Sequence, residues 1–274
     1  MDVLAALADS PAGRTSAELA KRCGISTSTC ALILAELEAR SWVSRRDDRS
    51  YTLGSGLFGV VHGLRAQFPL LDRGRETLTF LHGTLGAGCS MSKIGQTHLT
   101  TVDAVGHGTD GEHAVGQRFP IGPPFGLVAM AWRDEEAVDR WLRQVKPRLT
   151  DADIAAHRQV LAEIRERGYG AWRFDAAHNS LHDRLATVLA SLEPTAQVTR
   201  ELNTLMTIVT LQSVTSSLET DLASTEFVVL PIFGRDSQPE YQIEIHLGGR
   251  SALALADLEA ALRHAQALLR PGVA

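Results

Sequence analysis

Apolar residues in the first forty positions recur at helical spacing, in short runs broken by glycine and serine. Val3, Leu4 and Leu7 give one apolar side to a short helix. Leu19 and Ala20 are the buried stripe of a second helix, which Thr15 or Ser16 caps with Glu18 in its first turn. Gly24 stands where that helix must end with a positive φ, a conformation glycine reaches without a Cβ clash. Ser26 or Thr27 opens a third helix, with Ile33, Leu34 and Leu37 as its expected apolar face. The period then changes. Trp42-Val43-Ser44-Arg45-Arg46 and Ser50-Tyr51-Thr52-Leu53-Gly54 alternate on either side of Asp47-Asp48-Arg49, which predicts a β-hairpin. Residues 16–40 alone fit either an ordinary helical hairpin or a helix-turn-helix. With the flanking helix and hairpin, the order is that of a winged helix, whose third helix can enter a DNA major groove.

A second pattern begins near Asp72. Residues 89–95 and 97–103 read as strands around a Gly-Gln turn, followed by a Gly- and His-rich loop from Gly106 to Gly116. Residues 117–121 read as a strand, and Gly122-Pro123-Pro124 opens a helix expected to run to Trp132. Asp134 caps the next helix, with Glu135 and Glu136 in its first turn. Thr150-Asp151 starts a longer helix that ends at Gly168, and residues 169–174 are strand-like. Residues 226–233 and 241–247 form a hairpin around Gly234-Arg235-Asp236-Ser237, and residues 254–270 close the chain with an amphipathic helix. Strands and helices in that order predict an α+β domain.

Length and composition add bounds. The 274 residues suffice for two domains. No uninterrupted apolar run reaches membrane-spanning length, and the first residues lack a basic stretch followed by an apolar core, so neither a span nor a secretory leader is expected. The three cysteines, Cys23, Cys30 and Cys89, lack metal or disulfide spacing, which favours a reducing cytoplasm with Cys23 and Cys30 as small core hydrophobes. In residues 1–54, Arg14, Lys21, Arg22, Arg40, Arg45, Arg46 and Arg49 cancel Asp2, Asp9, Glu18, Glu36, Glu38, Asp47 and Asp48. The whole chain carries a net charge of −5, so any affinity for DNA must come from local placement. The candidate contacts are the hydroxyls of Ser26, Thr27, Ser28 and Thr29 at the start of the third helix, and Arg45, Arg46 and Arg49 on the wing.

Ser16-Ala-Glu-Leu-Ala20, Gly24-Ile-Ser-Thr-Ser-Thr29, Leu37-Glu38, Trp42-Val43 and Tyr51-Thr-Leu-Gly54 occur in an order and spacing that resemble the DNA-binding domain of the isocitrate-lyase-regulator (IclR) family of bacterial transcription factors. The resemblance implies a winged helix over residues 1–54, a linker helix over 55–71 and a GAF-like effector domain over 72–274. Leu57, Phe58, Val60, Val61 and Leu64 fit the linker helix, and Pro69 through Leu85 fits the helix that enters the effector domain. Two features depart from the family's pattern in the reading helix. Thr27 stands where a basic residue is usual, and Ala31 and Leu32 stand where His or Tyr followed by Arg is usual.

In the second region the matching pieces are Gly116-Gln-Arg-Phe-Pro-Ile121, Ile164-Arg-Glu-Arg-Gly-Tyr169 and Val228-Val-Leu-Pro-Ile-Phe233. Mapped through the resemblance, the effector site comprises Ser90, Ser92, Phe125, Gly126, Val128, Ala129, Trp172, Glu244 and His246. Glu244 and His246 replace the small residues common in the family's last strand. Alternation puts both on one sheet face, where they suit a polar or cationic ligand or simply face solvent. Residues 176–222 form an insertion with two helical stripes separated by Pro194.

No nucleophile elbow, Walker loop or dinucleotide glycine signature occurs, so neither enzymatic activity nor a cofactor is expected. His178 and His182, four apart with Asp183 nearby, are a weak metal motif, and His98, His107 and His113 match no ligand spacing. Two functions remain. One is a transcription factor that binds double-stranded operator DNA as a homodimer or dimer of dimers and responds to a small organic effector, its half-sites about 34 Å apart or multiples of that. The other is a dimeric small-molecule sensor whose helix-turn-helix no longer recognises DNA.

Overall fold

The computed structural model describes residues 2–8, 10–106, 115–122, 125–144, 149–173, 222–248 and 253–270. The chain divides into two compact units, Met1–Pro69 and Leu70–Ala274.

The first unit is built from α1 (Asp2–Ala8), β1 (Arg14–Thr15), α2 (Ser16–Arg22), α3 (Thr27–Ala39), β2 (Val43–Arg45), β3 (Ser50–Leu53) and α4 (Phe58–Gln67). Thr15 caps α2 in a reciprocal box: its hydroxyl accepts from the Glu18 amide, and the Glu18 carboxylate accepts from the Thr15 amide at 2.7 Å. The Thr15 amide and hydroxyl both donate to the Glu18 carboxylate, at 2.7 and 2.8 Å, and hold it below its ordinary range. Gly24 adopts φ +64° between α2 and α3, and the Ile25 amide donates back to the Ala20 carbonyl at 3.0 Å. The winged-helix core joins Val3, Ala6 and Leu7 of α1, Leu19 and Ala20 of α2, Cys30 and Leu34 of α3, and Val43 of β2.

Two local expectations change. Ile33 is exposed, and the buried line of α3 runs instead through Cys30 and Leu34 to half-buried Leu37. Cys30 packs with residues of α1 and α2, and Ile33 lies about 60° round the helix from it, beyond the edge of that core. The hairpin also gains a third strand, because β1 pairs antiparallel with β3 to give the order β1-β3-β2. At two residues, β1 is too short for a periodic signal.

The second unit contains α5 (Leu70–Leu85), β4 (Gly88–Ile94), β5 (His98–Val105), β6 (Arg118–Pro120), α6 (Leu127–Met130), α7 (Glu135–Leu142), α8 (Asp151–Arg167), β7 (Gly170–Arg173), β8 (Thr225–Phe233), β9 (Pro239–His246) and α9 (Leu255–Leu268). The strands form one antiparallel sheet in the order β6-β5-β4-β9-β8-β7. Alternation along β4, β7, β8 and β9 divides its side chains between two cores. Met91, Ala171, Leu230, Ile243 and Ile245 pack with α5 and α9. Ile94, Leu99, Trp172 and Val229 pack with α6, α7 and α8. The unit is therefore α+β, with helical layers on both faces of an antiparallel sheet.

The helix expected from Gly122 to Trp132 is confined to α6, because Gly126 at φ +90° resets the backbone immediately before it. Asp134 and Thr150 cap α7 and α8 as expected, and Gly168 ends α8 at φ +82°. The insertion assigned to residues 176–222 lies outside the described residues except for Leu222, as do His107, His113, His178 and His182. No helix among the described residues is long and apolar enough to cross a membrane.

Candidate nucleic-acid interface and effector face

At the start of α3, Ser26 is the N-cap and its Oγ accepts from the Thr29 amide at 3.1 Å. The same Oγ lies 2.9 Å from Ser28 Oγ and 2.8 Å from Thr29 Oγ1. Three of the four hydroxyls singled out from sequence therefore share one exposed network, with Thr27 beside it on the first turn. This end of the helix also gathers the positive end of its dipole and its unpaired amides, which suits a phosphate or a base edge.

The wing arginines are all exposed but differ in their ties. Arg45 lies 5.9 Å from the centroid of the Tyr51 ring. Arg46 Nη1 donates to the Ala12 carbonyl at 2.9 Å, tying the hairpin to the loop before β1. Arg49 takes φ +66° in the tight turn, where Asp48 Oδ1 accepts from the Ser50 amide and hydroxyl at 2.9 and 2.6 Å. Those two bonds from Ser50 keep the Asp48 carboxyl below its ordinary range.

In the second unit the β-register assembles polar and aromatic groups on the face toward α6, α7 and α8. One rung aligns Trp172, Phe227 and His246 across β7, β8 and β9. The Trp172 and Phe227 rings stack at 5.0 Å, and Phe227 lies 6.1 Å from the His246 ring. The next rung aligns Gly170, Val229, Glu244 and Ser90, and a third aligns Pro231, Gln242, Ser92 and Thr101. Glu244 Oε1 and His246 Nε2 are 3.0 Å apart, each side chain partly exposed. Trp172 is 3% exposed, and its buried Nε1 has no hydrogen-bond partner. A side chain at Gly170 would collide with the Trp172 ring and approach Val128 Cγ2 at 3.2 Å, so glycine there lets the indole lie flat against the sheet.

Ser90, Trp172, Glu244 and His246 thus share one face, with Val128 beside Gly170 and Ser92 one rung further on. Ala129 is fully buried in α6. Phe125 and Gly126 belong to the opposite end of the sheet: Phe125 lies 5.6 Å from Phe119 of β6, its carbonyl accepts from Trp141 Nε1 at 3.2 Å, and Gly126 adjoins Ile121. Phe227 and Gln242 join the face without having been expected there. Their alternation with the buried core positions of β8 and β9 is the signal that places them. A separate cavity of about 160 Å³ is lined by Met130, Arg133, Val138, Arg158, Leu161 and Arg165 and contains none of the expected effector residues. No cluster that could hold a metal occurs among the described residues.

A family model described as the MarR family matches residues 1–50. No curated protein matches the sequence. Among solved structures, an IclR transcriptional regulator from Alicyclobacillus acidocaldarius is 23% identical with a TM-score of 0.53, covering 97% of this chain and 94% of that one. The fold is that of the IclR regulators. Pseudomonas aeruginosa HmgR has a TM-score of 0.59 at 19% identity, with 98% of this chain and 97% of that one covered. An IclR homologue from Microbacterium hydrocarbonoxydans, complexed with 4-hydroxybenzoate, has a TM-score of 0.56 at 15% identity over 94% of this chain and 90% of that one. The IclR likeness therefore spans both units, whereas the MarR match falls entirely within the winged helix.

Proposed function

We propose that this protein is an IclR-type, ligand-responsive transcriptional regulator of the bacterial cytoplasm, acting without catalysis. The winged helix binds operator DNA as a homodimer or dimer of dimers. A small organic effector occupies the face formed by Ser90, Trp172, Glu244 and His246. Its affinity differs between two arrangements of the dimer, and that difference couples the effector to DNA binding.

The observation that carries this reading is the pairing in one chain of two features. One is a winged helix with a hydroxyl-rich helix start and exposed wing arginines. The other is a sheet face that sets an acid, an imidazole and an unpartnered indole N–H among aromatic walls. The 4-hydroxybenzoate held by the Microbacterium homologue supports a small-molecule site in this fold. The Glu244–His246 pair favours a ligand bearing a hydrogen-bond donor or a cation.

A gel shift with the region upstream of the protein's own gene tests the proposal. Saturable, sequence-dependent binding is expected. Weak binding to every duplex that vanishes at moderate salt would favour the sensor without DNA recognition.

A further inference from the structure

The reading helix has an unusual solvent face. Cys30 and Leu34 of α3 are buried and Leu37 is half-buried, which fixes the side of the helix turned to its own core. At about 100° per residue, Ser28, Leu32, Ala35 and Ala39 form the line opposite that side. All four are exposed. Leu32 is 75% exposed, the most exposed of the large apolar side chains described. The Ser28 hydroxyl is engaged by Ser26 Oγ at 2.9 Å, and Glu36 on the flank is tied to Arg40 at 2.7 Å.

Each base pair presents a distinct edge in the major groove. Guanine, adenine and cytosine are read by hydrogen bonds, best by Arg, Lys, Asn, Gln, Asp or Glu. Of these types only Glu36 borders the outer line of α3, and its carboxylate is held by Arg40. The one apolar group on that groove edge is the C5 methyl of thymine, and an apolar side chain is what contacts it. We infer that Leu32 is a specificity-determining residue that packs on a thymine methyl in each operator half-site. The inference rests on the proposed binding of operator DNA. A leucine so exposed has no role in the core of its own unit, and burying it against a methyl group recovers the hydrophobic free energy its exposure forfeits.

The experiment uses the full-length protein. Duplexes bound from a randomised pool define the preferred sequence, and each thymine in it is then replaced singly by uracil, which removes only the methyl. The expected result is one position, or two adjacent ones, per half-site at which uracil weakens binding about fourfold, the worth of one buried methyl group. In L32A the same thymine-to-uracil change has no further effect, as a double-mutant cycle requires of two groups in contact. Unchanged thermal unfolding of L32A shows that the fold is retained. If a preferred duplex is found but no uracil weakens wild-type binding, or the loss is equal in L32A, the assignment of Leu32 falls while DNA binding stands. If the pool yields no preferred duplex, the DNA-binding reading falls and takes this inference with it.

Discussion

His157 sits in α8 with no solvent exposure. Its Nδ1 lies 2.7 Å from the Asp153 carbonyl, and its ring stands edge-on to Trp141 at 5.7 Å. The carbonyl fixes the proton on Nδ1 and leaves Nε2 unprotonated, buried and without a partner. Burial lowers the pKa of this histidine, and the backbone and charge of Asp153 offset that only in part. The sign follows from proton binding. Below the ordinary value of 6.5 the unfolded chain takes up a proton that folded His157 resists, so stability falls as pH drops through that region and is full above it. Thermal unfolding between pH 7.5 and pH 5 is expected to show a smaller loss of Tm in H157F than in the parent. Parallel curves for the two proteins would remove His157 from the titration. The histidine was visible in the sequence, but its burial was not, because α8 carries polar residues on most of its turns.

At the scale of elements, the wing depends on close backbone contact. Gly54 follows β3, its amide donates to the Trp42 carbonyl at 2.8 Å, and a Cβ there would run into the Ser41 carbonyl. G54A is expected to cost about 1–3 kcal/mol, read as a lower midpoint in urea unfolding, because backbone rather than a flexible side chain must move. G59A is the contrast. Gly59 lies in α4 with nothing near its missing Cβ, so alanine there is expected to be neutral or to stabilise by up to about 1 kcal/mol. Equal destabilisation by the two changes would refute the contact argument. Most elements were legible from local signals. The Thr15–Glu18 spacing gives the capping box, Gly24 the turn, and the alternation around Asp47-Asp48-Arg49 the hairpin. The burial of Cys30 agrees with its expected place in the core, whereas Ile33, also expected on the apolar face, is exposed. The width of the buried stripe on α3 is a tertiary property: the contacts with α1, α2 and β2 cover Cys30 and Leu34 but not Ile33.

At the scale of the whole molecule, α4 buries none of its residues, and Phe58, Val60, Val61 and Leu64 are all exposed, Phe58 at 74%. Four large apolar side chains on one ten-residue helix are a costly surface for a lone chain and suit the dimer proposed above. F58D is expected to weaken self-association at least tenfold, measured by sedimentation equilibrium, and to weaken operator binding with it. An unchanged dimer in F58D would place the interface elsewhere. DNA affinity should fall steeply with salt, since a chain of net charge −5 attracts phosphate only through locally placed groups, the wing arginines and the start of α3.

The amino-acid order alone determined the kind and sequence of most of the described elements, the two-residue β1 and the shortened α6 excepted, because caps, turn glycines and apolar periodicity act over a few neighbouring residues. It also determined the contrast between a third helix that starts on short hydroxyl side chains and an arginine-bearing wing. Only the tertiary structure decided which residues meet. Trp172, Phe227 and His246 come from three strands, and Glu244 reaches Ser90 through a fourth, so their common face exists only through the register of β7-β8-β9-β4. A one-residue slip in any of those pairings would turn the same side chains to the opposite core. That register is set by long-range packing against two separate helical layers, which no local spacing encodes.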